Sequence, residues 1–310
     1  MTDTGTSPIA VFGSVNIDVC AYSGRLPRPG ETIHGNRYSM GLGGKGGNQA
    51  AAAARLGARV EMAGRTGTDA FGEMARARLA GFGVGTGHLR ADGGNPTGIA
   101  VIGVEDSGEN CITVIGGANM AVDRSDVEAA APLFRNASVL LLQLEIPLAT
   151  ALAAAALTRA GGGRVILDPA PAPAAGLPEE ALRAADIMTP NETETEALVG
   201  IRPRTPEEAA AAAARLAERG LGIAVVKMGA QGVYFRGQGA EGFVPAFPVR
   251  AIDTVAAGDC FNGGLAFALA RGDELPAAVR FAAACGALAT TRIGAADAAP
   301  TLAEVKALLG

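Results

Sequence analysis

Short apolar runs alternate with Ala-rich segments along most of the chain. Ile9-Ala10-Val11-Phe12-Gly13 reads as a buried strand, and residues 48–56 as a helix stopped by Gly57. A strand at 59–63 and a helix at 71–80, ended by Gly81, follow. Residues 138–145 form a Leu/Val run before Pro147 opens a helix, and 164–168 and 223–227 are further strands. Continuous apolar runs of this kind suit a parallel sheet covered on both faces. Thr205-Pro206-Glu207-Glu208 marks a helix start with an N-cap, a proline at the first helical position and an acid three residues after the cap. That helix ends at Gly220. The βα alternation implies a doubly wound α/β fold.

Two stretches break the pattern. Residues 21–40 are polar and rich in Pro and Gly, and 97–115 read as a hairpin turning at Asp106-Ser107-Gly108. Together they suggest a small β-sheet, a lid of about residues 19–42 and 97–117 on a single domain spanning 1–310. Ordinary surface β-structure fits the same pattern.

Composition narrows the chemistry. The chain has 310 residues, 49% hydrophobic and 18% charged, which is a globular balance. A net charge of −5 argues against non-specific nucleic-acid binding. With only two histidines, His34 and His88, a multi-His metal site is excluded, and a Ser-His-Asp triad would have to use one of them. Cys20, Cys111, Cys260 and Cys285 are scattered and form no C-x-x-C pair, so a reducing cytoplasm is the expected location. The start, from Met1 to Pro8, lacks the features of a signal peptide, and the apolar stretch 139–157 is broken by Gln143, Glu145 and Pro147, a poor membrane span.

Three clusters carry candidate chemistry. In the first, a strand-like stretch at 247–252 leads into Asp253-Thr254-Val255-Ala256-Ala257-Gly258-Asp259-Cys260-Phe261-Asn262-Gly263, with a helix from about 259 to 270. Small residues admit a ligand close to the backbone. The free N–H groups of Ala257, Gly258 and Asp259 would face outward at the positive end of the helix dipole. This is an anion hole suited to a transferring phosphoryl group, with Asp259 beside it to accept a hydroxyl proton. The plain alternative is that Asp259 only caps the helix.

The second cluster is Gly41-Leu42-Gly43-Gly44-Lys45-Gly46-Gly47-Asn48-Gln49. It matches G-x-G-x-x-G, with Glu61 downstream as a ribose-binding acid, but the polar segment before it is no Rossmann strand. Gly46 stands where a Walker A loop needs Ser or Thr. What remains is a glycine-rich turn at a helix start, with Lys45 and Asn48 exposed nearby, able to approach a polyhydroxyl ligand. The third cluster is Ser14-Val15-Asn16-Ile17-Asp18, just past a strand end where α/β sheets bind ligands. There Asn16 and Asp18 could hold vicinal hydroxyls, or could form a solvated turn. Glu145 ends another strand, and Asn191 reads as an N-cap followed by an acidic first turn.

Taken in order, Asn16-Ile17-Asp18, Gly43-Gly44-Lys45-Gly46-Gly47-Asn48-Gln49-Ala50, Leu144-Glu145, Thr189-Pro190-Asn191-Glu192 and 253–263 resemble the ribokinase family of carbohydrate kinases, the phosphofructokinase B type, over nearly the whole chain. The resemblance implies a three-layer α/β/α core with a mostly parallel sheet and a small β lid that often makes a dimer contact. It also implies transfer of the ATP γ-phosphoryl group to a primary sugar hydroxyl, with Mg²⁺ required. Asp259 then matches the catalytic base, with Ala256, Ala257 and Gly258 forming the anion hole. Asn16, Asp18, Gly43, Gly44, Lys45, Asn48 and Glu145 match the sugar side. Asn191 and Lys227-Met228-Gly229-Ala230-Gln231-Gly232 match the nucleotide side, and Glu194 an acid tied to Mg²⁺ and phosphate placement. Asp253, Val255, Ala289, Arg292 and Gly294 match an activating K⁺ site whose last place, often Ser, is Ala298 here.

D-ribose is the expected substrate. A nucleoside or other pentose kinase is the alternative within the class, with Ile33, Ile99 or Ile112 forming an apolar lid wall for a nucleoside base. A non-catalytic sugar sensor and a dinucleotide oxidoreductase are the alternatives outside it.

Overall fold

The computed structural model describes residues 8–310, so the reading of the chain start lies outside it except for Pro8. Its strands are β1 (Ile9–Phe12), β2 (Asn16–Ser23), β3 (Arg37–Gly43), β4 (Val60–Gly67), β5 (Gly85–Asp92), β6 (Gly98–Glu105), β7 (Asn110–Ile115), β8 (Val139–Leu142), β9 (Arg164–Leu167), β10 (Ile187–Met188), β11 (Ile223–Lys227), β12 (Gly232–Gly237) and β13 (Ala240–Pro245). Its helices are α1 (Lys45–Arg55), α2 (Ala70–Gly81), α3 (Arg124–Ala129), α4 (Ala131–Asn136), α5 (Leu148–Ala160), α6 (Glu179–Ala184), α7 (Glu192–Val199), α8 (Pro206–Glu218), α9 (Ala257–Ala270), α10 (Leu275–Ala289) and α11 (Leu302–Leu309).

Nine strands form one sheet in the order β13-β12-β11-β10-β9-β8-β1-β4-β5. It is parallel from β11 to β5 and antiparallel at β12 and β13. The period of two residues sends Ile9 and Val11 into one core, and Ala10 and Phe12 into the other. The first core is closed by α1, α2, α9, α10 and α11, the second by α3 to α8. The result is a three-layer α/β/α fold, and burial on both faces explains the unbroken apolar runs.

A second sheet has the order β3-β2-β6-β7. Its central pair β2–β6 is parallel, and β3 and β7 flank it antiparallel. The chain leaves the core after β1 and returns at α1, then leaves again after β5 and returns past β7. The small sheet therefore stands beside the carboxyl end of β1. The turn at 106–108 is where the sequence places it, with the Gly108 N–H donating to the Glu105 carbonyl at 2.9 Å.

Several boundaries differ from the sequence reading. Helix α1 begins at Lys45, three residues early, because Gly46 and Gly47 hide its periodicity. Helix α9 begins at Ala257. Strand β2 starts at Asn16, inside the stretch for which a solvated turn was the alternative. Residues 247–252 are not a strand: the N–H groups of Ile252 and Asp253 both donate to the Thr290 carbonyl, which ends α10, and not to a strand neighbour. No helix among the described residues is long and apolar enough to cross a membrane.

Candidate active site

The parallel strands deliver polar residues at their carboxyl ends: Ser14 after β1, Gln143 and Glu145 after β8, Asp168 after β9, and Lys227 at the end of β11. Helices α1 and α9 start against this edge and pack on one another. Between them lies Asp259, only 5% exposed. Its Oδ2 accepts from Asn48 Nδ2 and its Oδ1 from Gln49 Nε2, both at 3.0 Å. It caps nothing: Ala256 is the N-cap residue, in the left-handed region at φ 56°. Burial raises the Asp259 carboxyl to about 6; Lys45 and the two amide donors oppose the rise, and Asp168 adds to it. A carboxyl tuned toward neutrality is suited to taking a proton near physiological pH.

The helix start is an incomplete version of the expected anion hole. The Ala257 N–H turns back on the Thr254 carbonyl at 3.3 Å, which removes one of the three expected donors. The N–H groups of Gly258 and Asp259 keep the first-turn position, with no helical carbonyl in reach. A Cβ built on Gly258 would stand 3.4 Å from Lys227 Nζ, so an ammonium reinforces the positive helix end. Lys227 also donates to buried Asp168 at 3.1 Å.

Sugar-side candidates converge on the same place. Asn16, Gly43 and Gly98 are cross-strand neighbours. A Cβ on Gly43 would collide with the Asp18 carboxylate, so this position needs glycine. Asp18 is raised to about 6 by burial, then by the charges of Glu145 and Asp259, which brings all three carboxyls into one field. Glu145 Oε2 accepts from Ser14 Oγ at 2.5 Å and from the Lys45 N–H at 3.0 Å. Gly44, at φ 79°, is the N-cap of α1.

Asn48 and Lys45 are not exposed as expected. Asn48 is buried, with its Oδ1 lacking any partner, and Lys45 is half-buried. Burial alone would lower the Lys45 ammonium, but the charges of Asp259, Asp168, Glu145 and Glu194 outweigh it and raise the pKa.

On the nucleotide side, Asn191 and Glu194 cap each other. The Asn191 N–H and Nδ2 donate to the Glu194 carboxylate at 2.8 and 2.9 Å, and Asn191 Oδ1 accepts from the Glu194 N–H at 2.8 Å. Burial raises the Glu194 carboxyl, Lys227 and Lys45 oppose it, and Asp168 adds to it. Met228 is buried, and Gly229, Ala230 and Gln231 form an exposed 3₁₀ turn closed by Gly232. A Cβ on Gly229 would lie 3.3 Å from Glu192, beside the start of α7.

The remaining residues form a separate loop cluster. Asp253 accepts from the N–H groups of Val255 at 3.0 Å and Gly294 at 3.1 Å. Its carboxylate thus ties the segment before α9 to the one after α10. The Ala289 carbonyl accepts from the Arg292 N–H at 3.3 Å, Arg292 pairs with Glu304, and buried Ala298 brings no side-chain donor.

Sequence reasoning gave no site role to Asp168, Gln49, Gln143, Ser14 and Asn119. Gln49 Nε2 donates to Asp168 Oδ2 as well as to Asp259, and Gln49 Oε1 accepts from Gln143 at 2.7 Å. The strand-end logic that finds Glu145 also points to Asp168, and a glutamine inside the run 139–144 is itself a signal. Nothing local marks Asn119. Glu61 sits on β4 opposite Ala10, near the amino ends of the strands, beside a cavity of about 460 Å³ lined by Pro8, Arg59, Glu61 and His88. It does not approach the glycine turn, so the dinucleotide alternative loses its acid.

Residues 7–302 match the family model described as pfkB family carbohydrate kinase. The chain belongs to the pfkB family of carbohydrate kinases. It is therefore an enzyme of the sugar-kinase class. The ribokinase of Haemophilus influenzae is 38% identical over 296 residues, covering 96% of each chain. The deoxyribokinase of Salmonella typhi is 34% identical over 299 residues, again 96% of each. The structure of Arabidopsis thaliana ribokinase complexed with ribose and ATP superposes with a TM-score of 0.89 at 35% identity, covering 98% of this chain and 99% of that one.

Proposed function

We propose that this pfkB-family enzyme is an ATP-dependent ribokinase that phosphorylates the primary hydroxyl of D-ribose to give D-ribose 5-phosphate. The observation that carries the reading is one buried carboxyl, Asp259, set between the polar strand-end residues Asp18 and Glu145 and a helix start flanked by Lys227. Asn16, Asp18, Asn48 and Glu145 bind the sugar ring. Asp259 takes the proton of the primary hydroxyl as its oxygen bonds to the γ-phosphorus. The bond from that phosphorus to the bridging oxygen breaks, and ADP leaves. The amides of Gly258 and Asp259, with Lys227, stabilise the charge on the transferring group.

Asp18, Glu145, Asp168, Glu194 and Asp259 share this cleft with Lys45 and Lys227, an excess of negative charge that calls for a cation before a polyphosphate can enter. Among the described residues no three His, Cys, Asp or Glu side chains form a metal cage. That suits Mg²⁺, which keeps several waters and takes one or two carboxylates plus phosphate oxygens. Glu194 and Asp168 would hold it. When bound, the ion neutralises phosphate charge during transfer. Asn191 and the 228–232 turn receive the nucleotide. The 253–255 and 292–294 segments, drawn together by Asp253, offer oxygen donors suited to K⁺, with Ala289 contributing its carbonyl and Ala298 lacking the usual side-chain donor. The small sheet acts as a lid that keeps water from the phosphoryl group, and its outer surface pairs two chains.

A coupled ADP-release assay over ribose, 2-deoxyribose, fructose and adenosine, with and without K⁺, tests the reading. Ribose is expected to give the highest kcat/KM, and K⁺ to raise the rate. A preference for adenosine would favour the nucleoside-kinase reading, for which Ile99 on β6 offers an apolar wall. Ligand binding without ADP formation would leave only a sensor.

A further inference from the structure

Three of the four crossings between the core and the small sheet meet at one buried side chain, Asn119, 1% exposed. It lies in a 3₁₀ turn at Gly117–Ala121, where the chain returns from β7. Its Oδ1 accepts from the Val15 N–H at 2.9 Å, and its Nδ2 donates to the Val15 carbonyl at 3.2 Å and to Asn16 Oδ1 at 2.7 Å. The neighbouring Ala118 N–H donates to the Pro96 carbonyl at 2.8 Å, which ties in the crossing from β5 to β6. A Cβ on Gly98 would collide with both Asn16 Oδ1 and Asn119 Nδ2, so the pair lies across a gap that only glycine leaves open.

These contacts fix two amide orientations. A backbone N–H can only donate and a backbone carbonyl can only accept, so Val15 sets which end of Asn119 is oxygen. Asn119 must then donate to Asn16, which makes the facing atom of Asn16 its carbonyl oxygen. That oxygen is consumed. The Asn16 amino group makes no hydrogen bond to any described residue.

We propose that Asn119 is a positioning residue of the sugar site, committing the Asn16 amide to donate to a ligand oxygen. The inference rests on the sugar-kinase reading of that pocket. With Asp18 and Glu145 present as acceptors, the pocket selects a hydroxyl that accepts from Asn16 while donating to a carboxylate. An ether satisfies only the first demand and a deoxy carbon neither. A flipped Asn16 would present a third acceptor and leave the hydroxyl oxygen without a donor.

Asn119→Asp keeps shape and the bond from the Val15 N–H but cannot donate. Asn16 then turns its amino group inward and its oxygen toward the pocket. We expect the KM for ribose to rise about 10–100-fold, the scale of a binding group left unpaired. The KM for ATP should stay within about twofold. Asn119→Ala, which frees Asn16 to rotate, should move the ribose KM in the same direction. Melting temperatures establish that both variants are folded. An Asn119→Asp enzyme with the wild-type ribose KM overturns the proposal. So does one in which both KM values rise alike, and so does failure of both variants to fold, since each assigns Asn119 a structural role alone. If wild type releases no ADP with any sugar, the functional reading fails and this one with it; an active wild type with an unchanged variant sinks this one alone.

Discussion

Asp259 carries opposing demands. Burial costs its charged form, yet the proposed base needs that form, and the two amide donors with Lys45 hold the carboxyl near 6 against desolvation. Asp259→Asn should stay folded, because the side chain keeps its volume, and should lose about 10²–10⁴-fold in kcat, measured by ADP release. The pH profile follows from the same shift. A base works only when deprotonated, so kcat/KM should be level well above pH 6, about half-maximal near 6 and lower below it, with Asp18 titrating in the same range. An acid limb centred near pH 4 would mean that neither carboxyl limits the rate. Asp259, Asp18 and Glu145 were legible as residues because each stands at a strand or helix end. Gln49 was quoted in the motif without a role, since the bridge it makes to Asp168 and Asp259 joins residues more than a hundred positions apart.

At the scale of elements, the site depends on how closely α1 and α9 approach the strand ends. The first turn of α1 rests on the turn after β1: the Gly47 N–H donates to the Ser14 carbonyl at 2.9 Å. A Cβ on Gly46 would sit 2.7 Å from the Ser14 carbonyl oxygen and 2.8 Å from the Gly13 carbonyl carbon, both backbone atoms that cannot swing aside. Gly46→Ala should therefore cost about 1–3 kcal/mol, read as a lower urea midpoint, and should raise the KM for sugar by shifting Lys45 and Asn48. Of the two glycines that hid the start of α1 from the sequence pattern, Gly46 is thus required by the packing, whereas a Cβ on Gly47 would make only ordinary contact with Leu42. The start of α9 was read two residues late for a related reason: Ala257 and Gly258 carry no apolar signal of their own.

For the whole molecule, the small sheet is the least self-sufficient part. Every residue of β7 is exposed, including Ile112 at 54% and Val114 at 55%, and Tyr38 and Val101 lie bare on the same sheet. An apolar sheet with an open edge strand needs a partner, and a second copy of the chain is the one proposed here. Sedimentation should give a dimer for the wild type. Tyr38 and Val101 lie on the face turned away from Asp18, so a charged pair of changes, Val101→Glu with Tyr38→Lys, should shift it to monomer and lower kcat/KM at least several-fold by loosening the lid. A monomeric wild type would remove the dimer from the proposal. Stability and activity respond to pH in opposite senses around Asp18 and Asp259. Their folded values lie above the ordinary 3.8, so the folded state binds these protons more tightly, and their contribution to stability falls as pH rises from about 4 to 6.

By itself the sequence determined the layered parallel core, because strands covered on both faces must read as unbroken apolar runs. It also nominated residues to accept a hydroxyl proton or hold a polyol, because polar residues at strand and helix ends can face a ligand as well as cap or turn the chain. Only the tertiary structure decided which of them meet. Closing the sheet brings Asn48, Asp168 and Asp259 together across long spans of chain. It sets Lys227 against the start of α9, turns the Ala257 N–H away from the anion site, and gives the Asn16 amide its direction through Asn119. Those outcomes depend on distances between segments remote in sequence, and local propensity carries no record of them.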